Sequence, residues 1–178
     1  MATDDKNIIK QIRENPERGF RLLVAKYKEP VYWHIRRLVV AHADAQDAAQ
    51  ETFIRIFRFF GQYSEDKSFK AWIFRIATNE ALRLLSRNQN GKTISLDDTL
   101  TTDLKADEYF DYTNAEAVSL QKAIRALPAK QQLAFNLRYY DEMSYEEIAE
   151  ATDSTAANVK VNYHLAKEKI IKWMDSND

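Results

Sequence analysis

The chain of 178 residues contains no cysteine and only three glycines and three prolines. The absence of cysteine excludes a disulfide framework, thiolate metal sites and a cysteine nucleophile, and it is typical of a reducing compartment. So few turn-forming residues argue against a many-stranded sandwich or barrel and favour an all-α fold. No apolar run reaches the roughly 20 residues of a membrane span, and the N-terminal stretch MATDDKNIIK is too polar for a secretory signal. We therefore expect a cytoplasmic protein with no direct membrane insertion.

Charge is unevenly distributed along the chain, although the formal net charge is only −1. Residues 1–92 carry an excess of six positive charges, residues 93–116 carry an excess of six negative charges, and the remainder is nearly balanced. Residues 93–113 (TISLDDTLTTDLKADEYFDYT) have no sustained helical period. They predict a solvated acidic linker, which could also compete with DNA for a basic surface. We expect two small helical domains, residues 1–92 and 114–178, joined by this linker.

Apolar periodicity, capping residues and turn signals predict four helices on each side of the linker. The helices are expected at residues 5–14, 17–41, 44–60, 69–88, 114–126, 129–140, 144–151 and 155–174.

The helix at 44–60 has two contrasting sides. Its expected buried stripe comprises Ala45, Ala48, Ala49, Thr52, Phe53, Ile56, Phe57 and Phe60. The other side carries Asp47, Gln50, Glu51, Ile54, Arg55 and Arg58. Charge around one apolar residue is typical of a partner-binding face, because rim charges orient the partner while the apolar centre gains from desolvation. The same spacing also fits a solvated face with one isoleucine.

The helix at 69–88 combines an aromatic ring, guanidinium groups and an amide on one stripe. Trp72, Arg75, Asn79 and Arg83 recur at helical spacing, and Arg87 flanks them. The preceding loop adds Tyr63 and Lys67. Single-stranded nucleic acid requires this mixture, because cations follow the phosphates and flat side chains stack on exposed bases. The alternative is that Trp72 packs in the core.

A helix-turn-helix pattern follows in the last third of the chain. Ser144 with Glu147 forms a capping box that opens a short acidic helix, and Thr155 can cap the next helix after a tight turn. The second helix has an inner stripe of Val159, Tyr163, Ala166, Ile170 and Trp173. Its outward residues, with side chains suited to base edges and phosphates in a major groove, are Asn158, Lys160, Val161, Asn162, His164 and Lys167.

Catalysis and cofactor binding find no support in the sequence. The histidines His34, His42 and His164 are scattered, and we expect the first two on a helix surface. No cluster of carboxylates or histidines has metal-ligand spacing, so we expect no catalytic residue, no metal site, no cofactor and no small-molecule substrate.

Three ordered motifs resemble the extracytoplasmic-function (ECF) group of bacterial sigma factors. They are DAQDAAQETFIRIFRFF (44–60), FKAWIFRIATNEALR (69–83) and ALPAKQQLAFNLRYYDEMSYEEIAEATDSTAANVKVNYHLAKEKI (126–170), and they are similar to the second and fourth regions of that family. The resemblance implies a non-enzymatic factor that binds core RNA polymerase and recognises the −10 and −35 promoter elements. It also implies an anti-sigma factor as a regulator.

The resemblance further assigns roles to residues. The clamp helices of the largest polymerase subunit would be contacted by Asp47, Gln50, Glu51, Ile54, Arg55 and Arg58. The flap of the polymerase would be a second contact. The nontemplate strand at −10 would be held by Tyr63, Lys67, Trp72, Arg75, Asn79, Arg83 and Arg87. The −35 element would be read by Thr155, Asn158, Lys160, Val161, Asn162, His164 and Lys167.

Two other functions fit parts of the pattern. A helix-turn-helix regulator would bind DNA without polymerase, and an adaptor would bind polymerase without DNA. Promoter binding measured with and without core polymerase separates the three.

Overall fold

The computed structural model describes residues 3–39, 41–88 and 113–176, and within these ranges every regular element is a helix. This confirms the all-α expectation. The helices are α1 (Asp5–Glu14), α2 (Pro16–Leu38), α3 (His42–Phe59), α4 (Phe69–Asn88), α5 (Ala115–Arg125), α6 (Ala129–Tyr139), α7 (Tyr145–Thr152) and α8 (Ala156–Ser176). A 3₁₀ turn, Phe60–Gln62, follows α3. The expected linker lies outside the described residues except for Thr113, so it stays a prediction.

Side-chain caps fix where several helices begin. Asp4, Asn15 and Asn114 accept hydrogen bonds from backbone N–H groups in the first turns of α1, α2 and α5, at 2.8, 3.3 and 3.0 Å. Ser144 and Glu147 form the predicted capping box at the start of α7, with two reciprocal bonds of 3.1 Å. Each cap stabilises its helix by about 1 kcal/mol, which is why these local signals locate the helix starts well.

The helices form two groups that share a boundary. Helices α1 to α4 pack around fully buried residues such as Leu23 and Phe74, whereas α5, α6 and α8 enclose a second cluster around Ile124. Helix α7 packs on α4 as well as on α8, and α6 touches α2. The buried residues Leu137 and Ile148 therefore belong to the same apolar cluster as those of α2 and α4.

The expected buried stripe of α3 is narrower than the sequence indicates. Ala45, Thr52 and Ile56 are buried, but Phe57 is 63% exposed, so its prediction as a core residue is wrong. At about 100° per residue, Phe57 lies at the edge of the stripe next to Ile54. Helices α2 and α4 cover the centre of the stripe and leave that edge open.

His34 is fully buried, and its expected place on a helix surface is wrong. It follows Tyr27 and Val31 on the buried stripe of α2, with its ring 5.2 Å from that of Phe74. The Thr78 hydroxyl donates to the Phe74 carbonyl, so it accepts from His34 Nε2 at 2.8 Å. Burial, with a smaller contribution from Arg37, lowers the pKa of His34 to about 3.

Candidate nucleic-acid interface

A groove of about 420 Å³ runs between the end of α3 and the outer side of α4. Six of the seven residues predicted to hold the −10 strand line this groove: Tyr63, Lys67, Trp72, Arg75, Asn79 and Arg83. Arg87 is exposed one turn beyond Arg83 and does not line it. Positions three and four apart share one side of a helix, so the helical spacing in the sequence becomes a wall of one groove.

The floor of the groove is aromatic. The Trp72 ring stacks at 5.9 Å from Phe69 and lies 5.3 Å from Tyr63, and it is half-buried. Tyr63 itself is only 9% exposed, and its hydroxyl donates to the Lys67 carbonyl at 2.6 Å. Burial raises the pKa of Tyr63, with nearby carboxylates adding to the effect. Trp72 is therefore the ring with a face to offer a base, while Tyr63 mainly holds the loop before α4 in place.

A buried carboxylate, Glu80, lowers the positive charge of the groove. Glu80 is 4% exposed and forms ion pairs with Arg55 at 2.6 Å and with Arg83 at 2.8 Å. Arg55 also lies 3.4 Å from Glu51 on its own helix. Glu80 thus neutralises part of the positive charge of the two arginines and holds both side chains against the groove wall.

Arg55 faces the groove and not the outer face of α3 on which the sequence grouped it. It lies on the edge of the buried stripe opposite Phe57, beside Ala48 and Thr52, and from there it reaches Glu80 on α4. The sequence shows which residues occupy the edges of a stripe but not which neighbouring helix each edge meets.

The outer face of α3 keeps the other predicted residues together. Asp47, Gln50, Ile54 and Arg58 are exposed, whereas Glu51 is half-buried. Beside them lies an apolar depression of about 380 Å³, lined by Phe20, Leu23, Val24, Gln50, Phe53, Ile54 and Phe57. The sequence does not reveal the contribution of Phe57, because its spacing matches the core, or that of Val24, because a single exposed apolar residue on α2 gives no local signal.

The second helix of the helix-turn-helix presents its predicted residues to solvent. Thr155 accepts a hydrogen bond from the Asn158 N–H at 3.2 Å and so opens α8. The turn before it has Asp153 in the left-handed region, with φ of 53°, a conformation that aspartate tolerates better than most residues. Of the seven residues predicted to read the −35 element, Asn162 is half-buried and six are exposed: Thr155, Asn158, Lys160, Val161, His164 and Lys167.

Helix α7 contacts the start of α4 through acidic side chains. The Ser68 hydroxyl donates to Glu147 at 2.7 Å, and the Ser68 N–H donates to Glu150 at 3.3 Å. About two turns further along α4, Arg75 pairs with Asp153 at 3.0 Å. Partial burial works to raise the pKa of Glu147, but hydrogen bonds from Ser68 and Ser144 outweigh it and lower the pKa. These contacts join the helix-turn-helix to α4, the helix with most of the residues predicted to hold the −10 strand.

A second set of contacts joins α2 and α4 to the residues just before α7. Lys70 donates to the Asp141 carbonyl at 2.5 Å, and Arg37 lies 3.7 Å from the Asp141 carboxylate. The Arg37 guanidinium also sits 4.0 Å from the centre of the Tyr140 ring. Burial raises the pKa of Asp141 to about 6, although Arg37 and Lys70 oppose the shift.

Neither a metal-binding cluster nor a membrane-spanning helix occurs in residues 3–39, 41–88 and 113–176. No group of three or more histidine, aspartate or glutamate residues there could hold a metal ion. No helix in the same ranges has the length and hydropathy needed to cross a membrane.

Comparison with known proteins identifies both halves of the chain. The sequence model of the family described as Sigma-70 region 2 matches residues 23–91, and that of Sigma-70, region 4, matches residues 117–170. The RNA polymerase sigma-H factor of Pseudomonas aeruginosa is 28% identical, over 94% of this chain and 92% of that protein. The ECF RNA polymerase sigma-E factor of Escherichia coli K12 is 27% identical, over 93% of this chain and 92% of that protein.

Solved structures share the fold. CnrH in complex with the cytosolic domain of CnrY is similar with a TM-score of 0.73 and 19% identity, over 98% of this chain and 99% of that one. The sigma factor RpoE of Bartonella quintana, in complex with the anti-sigma factor NepR, is similar with a TM-score of 0.65 and 19% identity, over 89% and 98% of the two chains. The two region matches and the relatives, and not the structural likeness, show that the chain belongs to the sigma-70 family, in its extracytoplasmic-function group.

Proposed function

We propose that this sigma factor binds core RNA polymerase through the outer face of α3, holds the nontemplate strand of the −10 element in the α4 groove, and reads the −35 element with α8. The proposal rests chiefly on the α4 groove. It brings together cations, an amide and an aromatic face from a loop and four turns of helix, and this is the mixture that binds a single strand. In this role residues 1–92 bind polymerase and the −10 element, residues 114–178 bind the −35 element, and the linker 93–113 joins the two domains.

The outer face of α3 supports docking on a helical partner such as the polymerase clamp. Ile54 and Phe57 are 42% and 63% exposed and lie at the centre of the surface, whereas Asp47 and Arg58 form its charged rim. An apolar centre within a charged rim matches the anatomy of specific interfaces, in which the centre gains from desolvation and the rim selects the partner. The flap would be a second polymerase contact.

The −35 contact by itself is weak. If Lys160, Lys167, Lys169 and Lys172 all met phosphates, the salt dependence of binding would have a slope of only about −3.6, at about 0.9 per contact. Such a helix holds a promoter only when polymerase supplies further contacts, which favours a polymerase-dependent factor over an independent regulator. The factor needs no catalytic residue or cofactor for this work, which takes place in the cytoplasm. An anti-sigma factor that covers these surfaces would be the natural inhibitor.

Fluorescence anisotropy on a labelled promoter tests the proposal. Tight, sequence-specific binding should appear only when core polymerase is added. Specific binding by the chain alone would instead support an independent regulator, and polymerase binding without any effect on DNA would support an adaptor.

Three variants test the separate surfaces. Asp47→Lys combined with Ile54→Lys should abolish binding to core polymerase, while Glu116→Lys, an exposed change on α5, should not. Asn79→Ala should weaken promoter opening without loss of polymerase binding. Lys160→Ala with Asn162→Ala should reduce initiation in the same way. Unchanged co-purification of the α3 variant with polymerase would refute the docking assignment.

A further inference from the structure

The outward side of α8 is divided lengthwise into two halves of different chemistry. At about 100° per residue, Val161 lies about 180° around the helix from the buried Ile170, so it marks the centre of the outward side. The basic half lies about 60–120° to one side of Val161 and comprises Lys160, His164 and Lys167. The amide-apolar half begins at Val161 and extends about 100° to the other side, and it comprises Val161, Leu165, Asn158 and Asn162.

Two aliphatic side chains of the amide-apolar half are left in solvent. Val161 is 57% exposed and Leu165 is 39% exposed, and they lie one turn apart on the same side of the helix. An exposed aliphatic group gains free energy only from a partner that removes it from water. In a major groove the apolar group that an A·T pair offers is the 5-methyl group of thymine. The two side chains therefore match thymine in chemistry.

The asparagines of the same half favour the same base pair. Asparagine pairs bidentately with N6 and N7 of adenine, whereas guanine is most often read by arginine or lysine. Asn158 and Asn162 line a cavity of about 530 Å³ together with Thr155, the cap of α8. The N-terminal residues of a recognition helix are those that reach base edges. Amides suited to adenine and aliphatic groups suited to thymine thus lie side by side at the correct end of α8.

The positions of the lysines support this division of work. In residues 156–166, all of which the structure describes, the amide-apolar half contains neither lysine nor arginine. Lys160 and Lys167 lie about 100° and 120° from Val161, so they can follow the phosphates of one groove wall while Val161 faces the bases. Phosphate contacts position a helix without reading sequence. The choice of bases therefore falls to the amide-apolar half.

We propose that Val161 and Leu165 make α8 selective for A·T pairs, through apolar contacts with two thymine methyl groups in the −35 element. The proposal rests on the −35 role proposed above for α8, and it adds Leu165 to the residues that read the bases. A rise of about 1.5 Å per residue puts the two residues about 6 Å apart along the helix. At about 3.4 Å per base-pair step, this distance joins neighbouring pairs or pairs separated by one other.

Replacement of thymine by uracil tests the contacts, because it removes only the 5-methyl group. Core polymerase carrying the full-length chain first selects its sites from a duplex library that is randomised across both promoter regions. The selected −35 sites should contain A·T pairs at two such positions. A buried methyl group contributes about 0.8 kcal/mol, so deoxyuridine at either position should weaken binding of a labelled selected duplex about fourfold.

Two alanine variants assign each methyl group to a side chain. Leu165→Ala should remove the fourfold effect of deoxyuridine at one of the two positions, and Val161→Ala should remove it at the other. The matched control is Ile171→Ala, which truncates a side chain that is 55% exposed on the same helix but lies on the basic side of Val161 and beyond Leu165. This control should keep the fourfold effect at both positions. All three side chains are exposed, so each variant should fold, and thermal melts check this.

The outcomes separate this proposal from the −35 role itself. Equal binding of thymine and uracil duplexes by the wild-type complex refutes the methyl contacts, and it is also the result expected if the aliphatic pair serves a protein partner. The −35 role stands in that case if Lys160→Ala with Asn162→Ala still weakens binding. Selected −35 sites without the two A·T pairs refute the proposal as well. If no variant of α8 changes either binding or the selected −35 sequence, the −35 role of α8 is refuted, and this proposal with it.

Discussion

Replacement of Glu80 by glutamine tests the charge balance of the α4 groove. Glu80 is almost fully buried between Arg55 and Arg83, whose side chains are 30% and 47% exposed. Removing one partner of a fully buried pair costs about 3–5 kcal/mol, but water reaches both arginines here, so we expect the free energy of unfolding to fall by about 1–3 kcal/mol. At roughly 2–4 °C per kcal/mol for a chain of this size, the melting temperature should fall by about 3–10 °C.

The same change should strengthen the binding of a single strand, although it lowers the stability of the fold. Without Glu80, two guanidinium groups at the groove wall lose their internal counter-charge and become available to phosphate. The salt dependence of single-strand binding should therefore steepen, by up to about 0.7 in slope for each new phosphate contact. A less stable protein that binds a strand more strongly is the signature expected of Glu80, and loss of folding alone would not produce it.

Glu65→Gln is the matched control. Glu65 also lies 2.6 Å from an arginine, Arg13, but both side chains are more than half exposed. Exposed pairs contribute about 0–1 kcal/mol, so this variant should melt within about 3 °C of wild type and keep its salt slope. Equal melting temperatures for the Glu80 and Glu65 variants, with equal slopes, would show that Glu80 does not neutralise the two arginines in the folded protein.

Three further predictions concern stability and follow from single contacts. Because burial lowers the pKa of His34, the unfolded chain binds a proton that the folded chain excludes. The free energy of unfolding should therefore be full above about pH 6.5 and decline as the pH falls below it. His34→Gln should flatten this decline in thermal melts. A Cβ at Gly19 would lie 2.3 Å from the backbone nitrogen of Ile12, so Gly19→Ala should lower the free energy of unfolding by about 1–3 kcal/mol. At Gly61 a Cβ meets nothing within 4 Å, so Gly61→Ala should not lower it. A tolerated Gly19→Ala would contradict the close approach of α1 and α2. Ser144→Ala removes the capping box of α7 and should cost about 1 kcal/mol in denaturant unfolding, and no loss would mean that α7 is held by packing alone.

The positions of the helices could be predicted from the sequence because their signals are local. Apolar spacing and caps depend on residues within one or two turns, and the eight expected helices match the structure to within a few residues at each end. The largest difference is the end of α2, expected at residue 41 and found at Leu38. Val39 is extended and buried, so tertiary packing of its side chain ends the helix before the local pattern does.

The α4 groove could also be predicted in outline, because a stripe on one helix keeps its residues together whatever else the chain does. What the stripe could not show is which side chains would be neutralised or covered. In the sequence Glu80 is only an acidic residue next to Asn79, and its distance to Arg55 on another helix is what makes it the internal counter-charge. Phe57 was expected in the core and Arg55 on the outer face of α3, and both positions differ for a related reason: both residues lie at the edges of a stripe whose width is set by the neighbouring helices.

The acidic side of α7 could be predicted only as far as its sign. The sequence predicts a short acidic helix here, and the same charge makes α7 complementary to Arg75 of α4 and to Ser68, the residue just before that helix, about 80 residues earlier in the chain. The sign of a side chain is a local property that the sequence shows, but its partner is not. Ser68 and Arg75 meet these carboxylates only because α4 and α7 pack together in the folded chain.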